Sequence, residues 1–299
     1  MVMAQPIRTD AADRTMAGIA AVLGAMLVFS GMDGISKVLA ETYHPLEISF
    51  VRAVVMLLVL LPFIARAPLS LRTARPWHQI GRGLCMIGST VFFVFALSQL
   101  PIADATAIGF ASPLLVTALS IALLGEKVGV RRWSAVIVGF IGVLIVVRPG
   151  TGTFDIAAIY PLLSAAAWAL GLILTRMMRA SEPALTTTFY STIVGLVACG
   201  VALPFVWEAP DLNGIALMIV MGVLSAIGQY LFALSATIAP ASVVAPFSYS
   251  QMLWSTMVGY FVFSTIPDGI TWIGAAIVIA SGLYTLHRES IVQRQAARG

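Results

Sequence analysis

Residues 95–128 read FALSQLPIADATAIGFASPLLVTALSIALLGEKV, and residues 232–263 read FALSATIAPASVVAPFSYSQMLWSTMVGYFVF. Each stretch contains an apolar run close to the length of about 20 residues that a helix needs to cross a bilayer. The apolar residues follow one another without the strict alternation of a membrane β-strand. The two stretches therefore predict membrane-spanning helices, and their likeness to each other indicates an internal duplication.

The composition of the whole chain favours a bilayer as its solvent. Of the 299 residues, 60% are hydrophobic and only 10% are charged, and the mean hydropathy is +0.98. A soluble domain carries about 25% charged residues, so this chain has too few to cover a surface in water. The net charge of +4 fits basic cytoplasmic loops better than it fits a nucleic-acid partner.

Ten apolar runs predict an all-α integral membrane protein with ten transmembrane helices arranged as two inverted five-helix repeats. The pairs of runs around Pro101 and Pro240 are closely spaced, so a smaller number of spans stays open from hydropathy alone. The predicted spans lie near residues 15–40, 45–65, 79–99, 102–124, 131–148, 155–178, 184–206, 212–235, 241–264 and 269–287.

Basic residues predict the orientation of the chain in the membrane. With ten spans, 14 of the 17 Lys and Arg residues fall on one side, together with both termini. Short cytoplasmic loops are enriched in Lys and Arg. We therefore expect a multi-pass membrane protein with residues 1–14 and 289–299 as cytoplasmic tails. The polar N-terminus predicts no cleaved signal peptide.

The duplication can be followed along the chain. A shift of about 139 residues places FSGMDGISK at 29–37 on WALGLILTR at 168–176. Five spans in each half make the halves cross the membrane in opposite senses, which predicts a first repeat over 15–150 and a second over 151–288. Inverted repeats are the architecture of secondary transporters, in which substrate binds between the halves.

Six stretches of the chain share a pattern with known proteins: 29–37, PLEISFVRA at 45–53, 95–128, VGFIGVLIVVRPG at 138–150, 232–263 and IGAAIVIASG at 273–282. In their order and duplication, these stretches resemble the drug/metabolite transporter superfamily in its EamA-type branch, and among its members they are most similar to bacterial amino-acid exporters. The second half departs from the family pattern, because Ser250 stands near the position of Pro113, and Thr265 near that of Glu126. The resemblance implies a ten-helix exporter of metabolites in the bacterial inner (plasma) membrane.

Charged side chains within spans are candidate functional groups, because they are costly in hydrocarbon. Ser30, Asp33 and Lys37 share one face of the first span. Asp33 is either a contact for a substrate amino group, a proton carrier, or the partner of Lys37 in an ion pair within the helix. Arg52 is expected to be structural, reaching Glu47 or a backbone carbonyl.

Polar and aromatic side chains recur on single faces of other spans. Such side chains face protein or water at membrane depth, so together they predict the lining of a cavity. Singly, each is as compatible with helix packing. The candidate substrate-binding residues are Ser30, Asp33, Lys37, Ser89, Phe92, Ser112, Tyr160, Ser164, Trp168, Gln229, Ser248, Tyr249, Gln251 and Trp254.

The sequence carries no motif for catalysis, and no cofactor or metal is expected. The GEK segment at 125–127 lacks the other residues of a phosphate-binding loop, and Cys85 and Cys199 are isolated in apolar runs. We expect a secondary transporter that exports small metabolites, above all amino acids, including aromatic and apolar ones, by alternating access through a central cavity between the two inverted repeats. A proton-coupled exporter of varied drugs is the alternative, and a membrane enzyme or scaffold is disfavoured. The expected partners are the lipid bilayer and a small-molecule substrate, and a monomer is compatible with the sequence.

Overall fold

The computed structural model describes residues 11–66, 73–125, 130–148, 156–178, 181–239 and 241–296. Within these residues the chain forms helices and no strands. Short 3₁₀ turns lie at Ile156–Ala158, Leu203–Phe205 and Ala245–Ser250. The α-helices are α1 (Ala11–Leu39), α2 (Pro45–Arg66), α3 (Pro76–Gln99), α4 (Ile102–Gly109), α5 (Ala111–Leu124), α6 (Val130–Val147), α7 (Ile159–Met178), α8 (Ala184–Ala202), α9 (Leu212–Ile238), α10 (Ala241–Val244), α11 (Gln251–Phe263) and α12 (Gly269–Ala296).

Each of the ten predicted spans corresponds to a helical segment. Seven segments in the described residues are long and apolar enough to cross a membrane, among them α4 and α5 counted as one. Shorter apolar helices occupy Trp133–Val147 and Gly269–Thr285, and α10 with α11 forms a broken tenth segment. The prediction of an all-α membrane protein is confirmed.

The surface of the helix bundle is apolar where a soluble protein would be polar. Val201 in α8 and Phe261 in α11 are among many large apolar side chains that are mostly exposed. Contiguous exposed apolar surface of this extent marks contact with a membrane. Lipid therefore takes the place of water around most of the bundle.

Several boundaries differ from the prediction. α12 continues to Ala296, into the segment predicted as a C-terminal tail, because these polar residues are compatible with continued helix. α8 ends at Ala202 because the next residues, Leu203–Phe205, form a 3₁₀ turn in which Pro204 cannot donate a helical hydrogen bond. Glu126, which was compared with Thr265, lies outside the described residues.

The contacts between helices obey a two-fold relation between α1–α6 and α7–α12. α1 packs on α9 as α7 packs on α3, and α2 packs on α9 as α8 packs on α3. α2 and α8 contact each other, as do α6 and α12, so each of these helices meets its own counterpart. This is the pattern expected when two copies of a five-helix unit cross the membrane in opposite senses.

α6 and α12 cross closely because glycines lie at the contact. A Cβ atom on Gly142 would come within 2.9 Å of the Gly274 carbonyl oxygen, and one on Gly274 within 2.7 Å of the Gly142 oxygen. Small residues let helix backbones approach in a membrane, where the gain comes from van der Waals contact. This contact joins the ends of the two repeats.

Each half contains one span that is interrupted near its middle. α4 and α5 meet at Phe110, and the turn Ala245–Ser250 separates α10 from α11. The residue sequence explains both breaks, since Pro113 follows the first, Pro246 lies within the second, and proline cannot donate a helical hydrogen bond. Irregular backbone is tolerated at membrane depth where protein or a water-filled space covers it.

The bundle has two distinguishable ends. α1 begins, and α12 ends, near α10, and Gly18 of α1 lies against Val244. We call this the terminal end. At the opposite end, called the far end, Tyr43 in the loop after α1 donates a 2.7 Å hydrogen bond to Asp211 at the start of α9.

Candidate functional site

A cavity of about 650 Å³ lies between the two repeats. Its walls come from α1, α2, α3, α4 and α5 of the first half and from α7, α9, α11, α12 and the turn Ala245–Ser250 of the second. Both interrupted spans contribute, through Phe110 and Tyr249. The rings of these two residues meet edge to face at 5.1 Å between centroids.

Nine of the fourteen candidate residues line this cavity. They come from six different helices and from the turn before α11, so the fold brings together side chains far apart in sequence. The nine are Asp33, Ser89, Ser112, Ser164, Trp168, Gln229, Ser248, Tyr249 and Gln251.

Four uncharged candidates lie outside the lining. Ser30 is fully buried behind it, where its hydroxyl donates to the Gln251 carbonyl at 3.5 Å. Tyr160 lies towards the far end, stacked on Phe95 at 5.3 Å between ring centroids. Trp254 packs against the buried apolar side chains of α1, and Phe92 does not reach the cavity. Helical spacing identifies a face but not the depth at which that face meets the cavity.

Lys37 also lies outside the cavity, and it forms no ion pair with Asp33. Its Nζ atom donates to the carbonyl oxygens of Leu97 and Leu100, both at 2.7 Å, at the end of α3. It also lies 5.7 Å from the centre of the Phe263 ring. The last carbonyls of a helix have no partner within it and attract cations. Lys37 therefore caps α3, and of the three alternatives for Asp33 the ion pair with Lys37 is wrong.

Asp33 is the acidic side chain of the cavity wall. It is only 3% exposed, and its carboxylate accepts a hydrogen bond of 3.4 Å from the Gln251 side-chain amide. Gln251 belongs to α11, so this bond joins the two repeats across the cavity. One long hydrogen bond is weak compensation for a buried carboxylate.

Arg52 also lines the cavity. Its Nη2 atom donates to the Thr90 hydroxyl at 2.8 Å, and Nη1 lies 4.0 Å from the Met32 sulfur. The expected contact with Glu47 is wrong, because the Glu47 carboxylate lies towards the far end and accepts from the Glu208 backbone amide at 3.3 Å. Arg52 thus points a cation at the space beside Asp33.

Ser89 and Ser164 form a polar contact in the cavity wall between α3 and α7. Their hydroxyl oxygens are 3.1 Å apart, and the Ser164 hydroxyl donates to the Ser89 carbonyl at 2.8 Å. The pair satisfies polar atoms that would otherwise be buried without partners. It therefore supports the wall and leaves little hydrogen-bonding capacity for a ligand.

Some lining residues were missed by sequence reasoning, although a signal existed for part of them. Phe29, Met32 and Ser36 share the face of α1 that carries Asp33, by the helical spacing of three and four residues. Phe93 lies one turn after Ser89 on α3 in the same way. Apolar side chains carry no sign in the sequence that separates a cavity wall from lipid contact.

The cavity extends towards the terminal end and is closed at the far end. Its lining reaches Arg176 in the last turn of α7 and Thr285 in the second half of α12. Towards the far end, Leu100, Ile102 and Val147 belong to one buried apolar cluster that joins both halves.

Polar contacts in the far-end loops reinforce this closure. Arg148, after α6, forms a salt bridge with Asp268, before α12. That bond, with backbone donation from Thr271, lowers the pKa of Asp268 to about 2. The Gly214 backbone amide and the Tyr43 hydroxyl lower the pKa of Asp211 in the same direction. Both carboxylates are therefore charged at neutral pH.

The described residues contain no group of three or more His, Cys, Asp or Glu side chains placed to hold a metal ion.

The model of the EamA-like transporter family matches residues 16–148 and again residues 155–286. The chain belongs to the EamA-like transporter family. It is accordingly a multi-pass membrane protein and a secondary transporter, in agreement with the resemblance seen in its sequence.

Several relatives of this EamA-like protein are named as transporters of S-adenosylmethionine or of riboflavin. The chain is 30% identical over 282 residues to the S-adenosylmethionine uptake transporter of Rickettsia prowazekii, covering 94% of this chain and 96% of the relative. It is 30% identical over 239 residues to the riboflavin transporter of Rhizobium johnstonii, covering 79% of each. A riboflavin transporter of Vibrio cholerae is 29% identical over 253 residues, covering 83% of this chain and 85% of the relative.

These names do not support the expected amino-acid export, since none of the three relatives is named for it. A crystal structure with 18% sequence identity superposes with a TM-score of 0.60, covering 95% of this chain and 99% of that one. At that identity the likeness concerns the fold alone.

Proposed function

We propose that this EamA-like protein is a bacterial inner-membrane transporter for the uptake of an amphipathic metabolite that combines a heteroaromatic ring with a charged group, S-adenosylmethionine being the first candidate. The observation that carries the proposal is the cavity between the repeats, in which aromatic walls adjoin the buried acid Asp33 and the base Arg52. S-adenosylmethionine carries an adenine ring, a sulfonium and an amino-acid head.

The size of the cavity supports a metabolite larger than an amino acid. Ligand pockets of about 300–1,000 Å³ enclose molecules of drug size. The volume of about 650 Å³ lies within that range. Trp168, Phe110 and Tyr249 offer ring faces and edges for a flat heterocycle. Both S-adenosylmethionine and riboflavin carry such a ring, and only the first carries a fixed cation.

A second candidate function is the export of aromatic or apolar amino acids. Asp33 and Arg52 favour it, since a zwitterion needs one acid and one base in the same wall. An amino acid alone would leave much of the cavity to water. The drug-exporter alternative from the sequence depends on the same aromatic residues, but it assigns no role to the Arg52 guanidinium.

Proteoliposomes containing the purified protein test these functions directly. Labelled S-adenosylmethionine, riboflavin and phenylalanine are offered separately, and each uptake is challenged with an unlabelled excess of the other two. We expect saturable S-adenosylmethionine flux. Phenylalanine flux without S-adenosylmethionine flux would support amino-acid export, the second candidate. Flux of cationic dyes alone would establish a drug exporter.

Trp168→Ala connects the flux to the cavity. Loss of a ring face of this kind is expected to raise the KM for S-adenosylmethionine about tenfold, because aromatic contacts contribute about 0.5–1.5 kcal/mol beyond burial. Trp133→Ala is the matched control, since Trp133 lies on α6 outside the lining and both indoles are 43% exposed. Equal KM values for the two variants would contradict the assignment of the cavity.

A further inference from the structure

Asp33 and Arg52 are two opposite charges in one cavity wall that do not satisfy each other. Within the described residues, neither forms an ion pair of 4 Å or less. They nevertheless border the same part of the cavity, because Nη1 of Arg52 lies 4.0 Å from the sulfur of Met32, the residue before Asp33. α1 and α2, which carry them, are consecutive helices of the first repeat.

Each of the two groups has hydrogen-bonding capacity left over. From the described residues, the Asp33 carboxylate, which has several lone pairs, accepts one hydrogen bond, the long one from Gln251. The Arg52 guanidinium has about five N–H donors, and in the same part of the chain one of them makes a good hydrogen bond, to Thr90. Charged groups kept from bulk water with incomplete partners are costly, unless a ligand completes them.

We infer that Asp33, Arg52 and Gln251 form a subsite for the α-amino-acid head of the substrate. The Asp33 carboxylate accepts from the substrate ammonium, and the Arg52 guanidinium donates to the substrate carboxylate. Gln251 holds the Asp33 carboxylate in place from the opposite repeat. The inference rests on the proposed function, and it names the feature that S-adenosylmethionine and the amino acids of the second candidate have in common.

The rest of the cavity suits the rest of such a molecule. Beyond the charged pair, Phe110, Tyr249 and Trp168 contribute aromatic surface from three other elements. Substrate binding at the head would connect α1 and α2 of the first repeat with α11 of the second through Gln251. Because α1 and α11 belong to different halves, the head group is placed where the two halves must move relative to each other.

Three compounds of equal apolar size, phenylalanine and two analogues of it, distinguish ammonium binding by Asp33 from carboxylate binding by Arg52. Phenylalanine carries both charges, phenethylamine only the ammonium, and 3-phenylpropionate only the carboxylate. Binding is measured by calorimetry on the purified full-length protein in detergent. The native protein is expected to bind phenylalanine at least about tenfold more tightly than either analogue, because each charged hydrogen bond adds to the affinity.

Two variants should then fail in opposite ways. Asp33→Asn is expected to weaken phenylalanine binding about tenfold or more and to leave 3-phenylpropionate within about twofold. Arg52→Gln is expected to weaken phenylalanine equally and to leave phenethylamine within about twofold. Glu208→Gln, which removes an exposed carboxylate outside the cavity, is the matched control and should change none of the three.

A purely structural pair would behave differently. If Asp33 and Arg52 only balance each other's charge, both single variants lose thermal stability and weaken all three analogues alike, which overturns the inference. Asp33→Asn/Arg52→Gln avoids an uncompensated charge and serves if a single variant does not fold. It must bind phenylalanine no more tightly than the two analogues.

The result also separates this inference from the proposed function. S-adenosylmethionine and 5′-methylthioadenosine, which lacks the amino-acid head, are titrated in parallel. Loss of S-adenosylmethionine affinity in both variants with unchanged 5′-methylthioadenosine binding supports both proposals. Selective binding of phenylalanine without binding of S-adenosylmethionine would support the subsite and would contradict S-adenosylmethionine as the substrate. Failure of the native protein to prefer any zwitterion over its analogues removes the subsite.

Discussion

Replacing Lys37 with methionine should destabilise the protein without touching its cavity. Lys37→Met keeps the length and apolar stem of the side chain and removes the ammonium that bonds the Leu97 and Leu100 carbonyls at 2.7 Å each. Hydrogen bonds to charged groups contribute about 1.5–3 kcal/mol each, and such values do not add in full. The variant is therefore expected to lose about 2–4 kcal/mol, since the freed carbonyls lie at the end of α3 among buried residues.

The assay is the half-life of the folded protein in detergent at a fixed raised temperature, because membrane proteins of this size often unfold irreversibly. A loss of about 2 kcal/mol in the barrier to unfolding shortens that half-life about thirtyfold. Val38→Met places the same side chain at the next, exposed position of α1 and should leave the half-life unchanged. Lys37→Arg should retain most of the stability. A Lys37→Met protein that survives as long as Val38→Met would refute the capping role.

Three further predictions concern the helix crossing, the far-end salt bridge and the topology. Gly142→Ala should lower the melting temperature measurably, because the new Cβ would lie 2.9 Å from a backbone oxygen of α12; Gly31→Ala, with open space around it, should not. Arg148 holds the pKa of Asp268 at about 2, below the value of about 3.9 in an unfolded chain. The free energy of unfolding that this carboxylate contributes is fully present above about pH 4 and is lost as the pH falls through about 2. Asp268→Asn should therefore lower the melting temperature slightly, and by the same amount at each pH between about 5 and 8, as measured by thermal melts. Tags at both termini should be reached from the cytoplasm and a cysteine beside Asp211 from outside, and opposite accessibility of the termini would contradict an even number of spans.

Part of the candidate site followed from the sequence because helical periodicity reports which side chains share a face. Ser164 and Trp168 are one turn apart on α7, and both line the cavity. Tyr160 continues the same face by another turn, but it lies towards the far end, where its ring stacks on that of Phe95. Periodicity gives the direction of a side chain about the helix axis and contains nothing about where along that axis the neighbouring helices separate.

The partners of charged residues were harder to predict. Lys37 lies one turn from Asp33, which made an ion pair within α1 a reasonable expectation. The structure places it instead against the end of α3, about sixty residues away in sequence. Arg52 was expected to reach Glu47 and contacts Thr90. Local spacing proposes local partners, and helix packing supplies distant ones that are better placed.

The sequence by itself determined the solvent, the class and the duplication of this protein. Its apolar runs can be satisfied only by lipid and by hydrogen bonds within helices, and a unit repeated with an odd number of spans must cross in opposite senses. Only the tertiary structure decided that Asp33, Arg52 and Gln251 share one cavity. Gln251 bonds Asp33 across 218 positions of sequence. Such a meeting depends on the rotation and depth of packed helices, which arise from the contacts of all their neighbours together.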